Sequence, residues 1–332
     1  MNRKDTMKLT LRRLVVASLL ALPLVLGNAH AQAPYPSKPI KFIVPFPAGG
    51  IVDSVARKIG EKLSAKYGQP VVVENRAGAG GSIGTAVVAQ SAPDGYTVLF
   101  VGTGFTVLPL MGKDLGWSPS DFRAVLGIGS TPNIVVVNPS VPAKDMKELV
   151  ALAKQRAGNP LTYGSPGLGS SPHLSGEFLA QQAGIKLMHV PYKGQPDAVV
   201  DLLAGRIDMM ALSAALAGQH MKAGKLRALA TTAKKRIVSH PELPTVAEAA
   251  NLPNYSVDPF TAVFVPAKTP EDVVKKLSND MIEALRMPDV KERMDFLGME
   301  LNLQPMREFD AFVEEEQRRW KGVLDKAGIV PK

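Results

Sequence analysis

Two loops of this sequence carry the residues best suited to bind a ligand. The first contains Phe46, Ala48, Gly49, Gly50 and Asp53, and the second contains Ser165, Gly169, Ser170, Ser171 and His173. Apolar residues at helical spacing follow each loop, so each loop is predicted to lead into a helix. The first turn of a helix has N–H groups without partners inside the helix, and these groups can bind an anion. The pattern therefore predicts two anion-binding helix ends.

Several of these side chains have two open interpretations. Asp53 falls in the predicted first helical turn, where a carboxylate favours the positive end of the helix. If Asp53 instead reaches an anionic ligand, a water or a ligand amine or hydroxyl must intervene. Ser171 is a good N-cap and Pro172 suits the first helical position. His173 then either contacts a ligand or bonds a nearby carbonyl group.

Two further loops are weaker candidates for the site. Tyr192 and Lys193 precede a predicted helix, and Tyr192 is the better candidate for a cleft wall. Lys193 is either a countercharge for an acid or a solvated surface residue. Thr103 lies between Gly102 and Gly104, directly after a predicted strand.

Catalytic and cofactor motifs fail on spacing. A serine hydrolase elbow needs G-x-S-x-G, but Gly164 directly precedes Ser165, and His173 stands where Ser171 would need a glycine. A dinucleotide fingerprint around 78–84 would require its third glycine where Ile83 stands. The histidines beyond residue 31 do not pair at metal-ligand spacing with another histidine, and there is no cysteine. We therefore predict no catalytic residues, no cofactor and no metal.

Strand and helix patterns alternate in two series that would position these loops. Strands are predicted at 40–44, 71–75 and 97–101 in the first series, and at 161–163, 187–190 and 207–211 in the second. Further strands are predicted at 133–138, 226–231 and 261–265, and helices at 271–285 and 306–327. Strand–helix–strand alternation indicates parallel strands, and the loops fall at their carboxyl ends.

The N-terminal segment 1–31 has the composition of a secretory signal peptide. A basic start leads into an apolar stretch at 14–26, and Ala29-His30-Ala31 is a small-x-small cleavage site. Removing this segment lowers the net charge from +9 to +5, without a basic run typical of nucleic-acid binding. The absence of cysteine leaves neither disulfides nor a lipid-bearing residue. We predict a free periplasmic protein of two domains.

A series of motifs occurs in one order along the chain and resembles the Bug-type receptors, the solute-binding components of tripartite tricarboxylate transporters. The motifs are Phe46-Pro47-Ala48-Gly49-Gly50, Val73-Glu74-Asn75-Arg76, Ala92-Pro93-Asp94-Gly95-Tyr96-Thr97, Gly169-Ser170-Ser171-Pro172-His173-Leu174, Val190-Pro191-Tyr192-Lys193-Gly194, Gly224-Lys225-Leu226-Arg227-Ala228 and Pro244-Thr245-Val246. The similarity extends over nearly all of the chain after residue 31.

The resemblance implies an α/β fold of the type II periplasmic binding protein (Venus-flytrap) class, with a mainly parallel sheet in each lobe. It assigns residues 32–137 and 257–332 to lobe 1 and 138–256 to lobe 2, with hinge crossings near Asn138 and Val257. Such receptors close around a small carboxylate, partly through ordered waters, and deliver it to a membrane permease. A monomer without enzymatic activity is implied. A ligand-presenting partner of a signalling protein, or a periplasmic serine hydrolase, remains the alternative.

Carried over residue by residue, the resemblance implies a carboxylate held by both loops. The implied contacts are Phe46, Ala48, Gly49, Gly50 and Asp53 on one side, and Ser165, Gly169, Ser170, Ser171 and His173 on the other, with Thr103 and Tyr192 as further contributors. One departure concerns the residues after Met210, where such receptors commonly carry Phe-Asp-Asn. This chain has Ala211-Leu212-Ser213, so amino-acid ligands are expected to be disfavoured and plain or aromatic carboxylates preferred.

Overall fold

The computed structural model describes residues 35–112 and 114–327. The predicted signal peptide, residues 1–31, lies outside these ranges. Contacts divide the chain into residues 1–37 and residues 38–332, and every helix and strand given below lies in the second unit.

The strands form two sheets. In chain order they are β1 (Ile40–Val44), β2 (Val71–Asn75), β3 (Thr97–Gly102), β4 (Phe122–Ser130), β5 (Asn133–Val137), β6 (Leu161–Ser165), β7 (Leu187–Pro191), β8 (Met209–Ser213), β9 (Arg227–Thr231), β10 (Phe260–Pro266) and β11 (Glu300–Pro305). The first sheet has the order β11-β4-β10-β3-β1-β2 and the second the order β7-β6-β8-β5-β9. Each sheet is the centre of one lobe.

Helices connect and cover the strands. They are α1 (Ile51–Tyr67), α2 (Ser82–Ala89), α3 (Gly104–Val107), α4 (Met146–Gln155), α5 (Ser171–Ala183), α6 (Gln195–Leu203), α7 (Ala214–Lys222), α8 (Val246–Ala250), α9 (Glu271–Leu285), α10 (Pro288–Phe296) and α11 (Arg307–Ala327). Helix α1 illustrates how the sequence sets these bounds. It buries Val55, Ile59 and Leu63 at a spacing of four residues and ends at Gly68, whose left-handed conformation (φ 63°) closes the helix.

Both sheets are mixed rather than mainly parallel. As predicted, β1 pairs in parallel with β2 and β3, and β6 pairs in parallel with β7 and β8. Strand β10, however, is antiparallel to β3 and β4, and β5 is antiparallel to β8 and β9. The reason is that β5 and β10 begin at the side where the chain enters each lobe, whereas β1, β3, β6 and β8 end at that side.

The two crossings between the sheets run side by side. The chain leaves the first sheet at Ser130 and enters the second at Asn133, and it returns through residues 257–259. The N–H of Thr131 in the outgoing segment donates to the carbonyl of Pro259 in the returning one at 2.8 Å. Residues up to 137 were predicted to belong to lobe 1, but β5 pairs in the second sheet. A run of β-favouring residues does not itself indicate which sheet the strand will join.

Helix α11 packs on both lobes, although its residues were all assigned to lobe 1. Near its start, the Phe309 ring contacts Phe260 and Phe264 of the first sheet, with ring centroids 5.4 and 5.9 Å apart. Near its end, Trp320 lies in the core of the second lobe, edge-on to Phe178 of α5 at 6.0 Å. This one helix therefore joins the hydrophobic cores on the two sides of the crossings.

Candidate functional site

The fold brings the predicted loops to facing edges of the two sheets. In the first sheet, Gly102 at the end of β3 pairs with Thr261, next to the crossing. In the second, Ser213 at the end of β8 pairs with Asn133, also next to the crossing. Because β1, β2 and β3 are mutually parallel, as are β6, β7 and β8, all their carboxyl ends lie on the crossing side. Such edges are where open α/β sheets bind ligands.

The loop after β1 presents an open helix end. Ala48, Gly49 and Gly50 are exposed, and α1 starts directly after Gly50. Among the described residues, no side chain caps this helix. The first-turn N–H groups therefore face outward without an internal acceptor, as the sequence predicts.

Asp53 stabilises this loop through hydrogen bonds. It is 2% exposed and accepts hydrogen bonds from the Gly49 N–H at 2.8 Å, the Asn75 amide at 2.8 Å and the Arg57 Nε at 3.0 Å. Burial alone would raise the pKa of Asp53, but the bonds from Arg57, Gly49 and Asn75 outweigh it and lower the pKa. Both carboxylate oxygens thus have protein partners, which assigns Asp53 to positioning the loop.

Phe46 and Thr103 occupy the neighbouring strand ends of lobe 1. The Phe46 carbonyl accepts from the Asn75 amide at 3.0 Å, and a Cβ placed on Gly81 would lie 3.5 Å from the Phe46 ring. Thr103 is buried, and its hydroxyl accepts from the Phe260 N–H at 3.3 Å. Thr103 therefore ties the end of β3 to the returning strand β10.

The loop between β6 and α5 is held by its own serines and by His189. Ser165 is fully buried, and its Oγ lies 2.6 Å from His189 Nε2 and 3.1 Å from both the N–H and the carbonyl oxygen of Gly167. The Ser170 hydroxyl donates to the Gly167 carbonyl at 2.6 Å. These bonds close the loop on itself.

His173 lies beneath the same loop. Its Nδ1 accepts from the Gly169 N–H at 3.2 Å, and the residue is 1% exposed. Burial, followed by the charge of His189, lowers the pKa of His173 to about 3, and burial also lowers the pKa of His189. The side chains of Ser165 and His173, both expected to touch the ligand, thus have partners inside the lobe.

The N-cap residue of α5 differs from the predicted one. The N-cap is Ser170 rather than Ser171, because the helix begins at Ser171 with Pro172 in its first turn, and the Ser170 hydroxyl does not cap it. Within residues 35–112 and 114–327, no hydrogen bond takes up the N–H groups of Ser171 and His173. The Ser171 Oγ accepts a hydrogen bond from the Asn133 amide at 3.1 Å. The Ser171 hydroxyl proton therefore remains able to donate to a ligand. This end can therefore bind an anion.

The lobes touch at these edges, where residues that follow β2 and β3 in lobe 1 approach the loop between β6 and α5 in lobe 2. A Cβ on Gly80 of lobe 1 would lie 3.5 Å from the Leu168 carbonyl oxygen of lobe 2. A Cβ on Gly169 would lie 3.1 Å from the Leu108 side chain. Gly80 (φ 67°) and Gly169 (φ 77°) both have left-handed backbone conformations, which favour glycine.

Tyr192 is half-buried, with its hydroxyl turned to its own lobe. The hydroxyl donates to Asp201 Oδ2 on α6 at 2.8 Å. Burial and this bond raise the pKa of Tyr192 to about 12. Its ring packs against the core of lobe 2, and a Cβ on Gly164 would lie 3.5 Å from it.

Sequence reasoning missed three supporting residues. Asn75, Asn133 and His189 each bond a predicted site residue across 22, 38 and 24 positions of the chain respectively. His189 was not among the predicted site residues. The parallel register places it opposite Tyr163, beside the loop after β6; the alternation of side chains along two neighbouring strands was the available signal.

A further acid, Asp258, lies partly buried in the returning crossing. The Oδ1 of Asp258 has no hydrogen-bond partner among the described residues. Burial raises the pKa of Asp258 to about 6, against the opposing effect of a hydrogen bond from Ser130. Glu300 and Glu316 raise the pKa further, and Arg319 lowers it. Its charge is therefore poorly accommodated at the point where the lobes join.

Asp258→Asn is expected to stabilise the protein at pH 8 by about 1–3 kcal/mol. Because the folded pKa of about 6 exceeds the ordinary 3.8, folding of the wild type takes up a proton between these values. Wild-type stability thus falls as pH rises through that window and stays lower above it, whereas asparagine carries no such loss. Urea unfolding at pH 8 and pH 4 measures the difference, which should disappear at the lower pH. An equal difference at both pH values would contradict this assignment.

Residues 35–112 and 114–327 contain neither a metal-binding cluster nor a membrane-spanning helix. There, no three His, Asp or Glu side chains come together in a way that could hold a metal ion. No helix in these ranges combines the length and apolar character needed to cross a membrane.

The fold and the cleft together define the class of protein. Two α/β lobes, two adjacent crossings and open helix ends at facing sheet edges are the architecture of a two-lobed binding protein. Residues 55–329 match the profile of the tripartite tricarboxylate transporter family receptor. The chain belongs to this family of periplasmic solute-binding receptors, which confirms the resemblance and the fold class.

Individual relatives cover nearly all of the chain. A protein encoded in the tcbD–tcbE intergenic region of Pseudomonas sp. strain P51 is 39% identical over 316 residues, covering 94% of each chain. The structure of the periplasmic binding protein BugD is 34% identical, with a TM-score of 0.80, and covers 90% of this chain and 100% of its own. The R. palustris protein Rpa4515 with adipate is 32% identical, also with a TM-score of 0.80, and covers the same shares.

Proposed function

We propose that this protein captures a small carboxylate between its lobes and delivers it, unchanged, to the membrane permease of a tripartite tricarboxylate transporter. The observation that carries the proposal is the pair of open helix ends, α1 in lobe 1 and α5 in lobe 2, at facing edges of the two sheets. The adipate in the related Rpa4515 structure supports a carboxylate ligand. The proposed contacts are the exposed backbone around Ala48–Gly50 and the Ser171 and His173 N–H groups.

Helix ends alone cannot supply the affinity. Each contributes about 0.3–1 kcal/mol to a bound anion, or about 2 when partly buried, whereas micromolar binding needs about 8 kcal/mol. Direct hydrogen bonds and exclusion of water by lobe closure must supply the rest. A ligand that bridges Gly50 and Ser171 favours the closed state, because it binds that state more tightly than the open one.

The residues at the end of β8 indicate which class of ligand this protein binds. Where related receptors commonly carry Phe-Asp-Asn, β8 ends in Ala211-Leu212-Ser213, and all three residues are buried. This segment offers no carboxylate to pair with a ligand amine. We therefore propose plain or aromatic carboxylates as ligands, with amino acids disfavoured.

The setting of this activity is the periplasm, after removal of residues 1–31 and without a lipid anchor, and the protein acts as a monomer. A role as a ligand-presenting partner of a signalling protein would use the same cleft. The hydrolase alternative gains a serine–histidine contact, Ser165 with His189, but Ser165 is fully buried and cannot reach a substrate.

A thermal-shift screen of the chain lacking residues 1–31 tests the proposal. The panel is adipate, malate, citrate and benzoate, with aspartate and glutamate as amino-acid controls. A ligand that binds only the folded state raises the melting temperature, by an amount that grows with its concentration. We expect a shift with at least one plain or aromatic acid and none with the amino acids. If mass spectrometry of the denatured sample finds no copurified acid and no panel member shifts the transition, the carboxylate proposal is overturned.

A further inference from the structure

Two neutral imidazoles support the loop that leads into α5. His173 Nδ1 lies 3.2 Å from the Gly169 nitrogen, and His189 Nε2 lies 2.6 Å from Ser165 Oγ. The two rings are adjacent, with centroids 4.4 Å apart. Both lie in lobe 2, where His173 is 1% exposed and His189 is partly exposed.

The protonation state of His173 follows from its partner. A backbone N–H can only donate, so the Nδ1 of His173 must carry a lone pair and its Nε2 the proton. That Nε2 lies 4.0 Å from Glu177 Oε1. A doubly protonated ring would present an N–H to the Gly169 N–H, and the bond would be lost.

Burial keeps the pair neutral, and for His173 the neighbouring His189 acts in the same direction. Tyr163 stacks on His189 with centroids 4.9 Å apart, and its hydroxyl donates to Glu177 Oε1 at 2.5 Å. Glu177 Oε1 already accepts this bond and lies 4.0 Å from His173 Nε2, beyond hydrogen-bond distance, and a charge on one imidazole would repel a charge on the other. A charged imidazole would also lie beside the positive end of α5, where cations are unfavourable.

The network decides which N–H groups of the loop remain free. The Gly167 N–H is taken by Ser165 Oγ, which contacts His189, and the Gly169 N–H is taken by His173. The N–H groups of Ser171 and His173 at the head of α5 are left open. Gly169 in turn lies against Leu108 of lobe 1. Its orientation therefore affects both the anion site and the contact between lobes.

We propose that the His173 side chain is a positioning residue for ligand capture, and that its neutral Nδ1 fixes Gly169 so that the N–H groups at the head of α5 face the ligand. This role rests on the proposed function, because it concerns the same loop. It differs from the contact role that the resemblance implied for His173, since the imidazole supports the loop and does not touch the carboxylate.

The test compares His173→Leu with His173→Asn, using the acid from the panel that gives the largest thermal shift. Leucine removes the acceptor, whereas the Asn side-chain oxygen can occupy nearly the position of Nδ1. We expect about a tenfold or larger loss of affinity in His173→Leu and recovery of most of that loss in His173→Asn. Circular dichroism must show both variants folded. Equal affinity of the leucine variant and the wild type would overturn the proposal.

A second measurement needs neither a variant nor a ligand. Nitrogen-15 NMR of the wild type should show His173 as the neutral Nε2–H tautomer from pH 8 down to pH 5. A protonated Nδ1 at His173 would overturn the proposal even if the leucine variant fails to fold. If this tautomer is found but no carboxylate binds the wild type, then the proposed function fails and the anchoring of Gly169 stands, so the two failures are distinguishable.

Discussion

Ser171→Asp is expected to weaken carboxylate binding by about 100-fold or more while leaving the fold intact. The new carboxylate would stand at the head of α5, where the ligand carboxylate is proposed to bind. Two like charges about 4 Å apart near a protein surface repel by about 4 kcal/mol, and each 1.4 kcal/mol is about tenfold in affinity. The helix itself should gain about 0.3–1 kcal/mol, because an acidic residue favours its positive end.

The substitution should weaken ligand binding but stabilise the helix. These opposite effects distinguish a change at the binding site from a general loss of the fold. Calorimetric titration measures the affinity, and urea unfolding without ligand measures the stability. The matched control is Asn159→Asp, which adds the same charge in an exposed turn before β6, at the end of that strand opposite to the loop. The control should bind within about threefold of the wild type. Retained affinity in Ser171→Asp would mean that the carboxylate does not bind at this helix end.

Trp320→Ala should lower the free energy of unfolding by about 3–5 kcal/mol. The indole is fully buried, packs edge-on to Phe178, and donates from Nε1 to Glu316 Oε2 at 2.8 Å. Truncation leaves a cavity in the core of lobe 2. It also removes a hydrogen-bond donor from a buried carboxylate, while Arg319 still bonds the other oxygen of Glu316 at 2.8 Å.

The control for this variant is Phe296→Ala, another truncation of an aromatic side chain on a helix. Phe296 is 68% exposed, so its loss should change the free energy of unfolding by about 0.5 kcal/mol or less. Urea unfolding of both variants measures the difference. Because α11 reaches from the core around Phe309 to that around Trp320, Trp320→Ala should loosen the second lobe first. An equal, small effect of both substitutions would show that the end of α11 does not stabilise lobe 2.

Local patterns in the sequence predicted the elements that carry the site. The β1–α1 and β6–α5 units follow from an apolar strand, a glycine turn and a helical repeat, all within about 30 residues. Helices α9 and α11 were likewise predicted nearly to their ends. These features depend on neighbours along the chain, which a single sequence displays directly.

Elements without a local pattern were missed. Strand β4 contains Gly127 and Gly129, residues that disfavour a strand by themselves. The reason for Gly127 lies far along the chain, because a Cβ there would lie 2.1 Å from the Phe309 ring. Strand β11 is not apparent in a segment whose flanks are helical. Strand direction was missed for a similar reason, since it depends on where the chain crosses between lobes.

The sequence by itself determined which loops lie at the carboxyl ends of parallel strands, because strand ends and helix starts are local and parallel strands place their ends together. The tertiary structure decided which groups in those loops are free to bind. Asp53, Ser165 and His173 look like ligand contacts in the sequence, yet their side chains bond Gly49, Gly167 and Gly169 respectively. The physical reason is that buried polar groups require partners, and partners such as Asn75 and His189 approach only once the strands have paired.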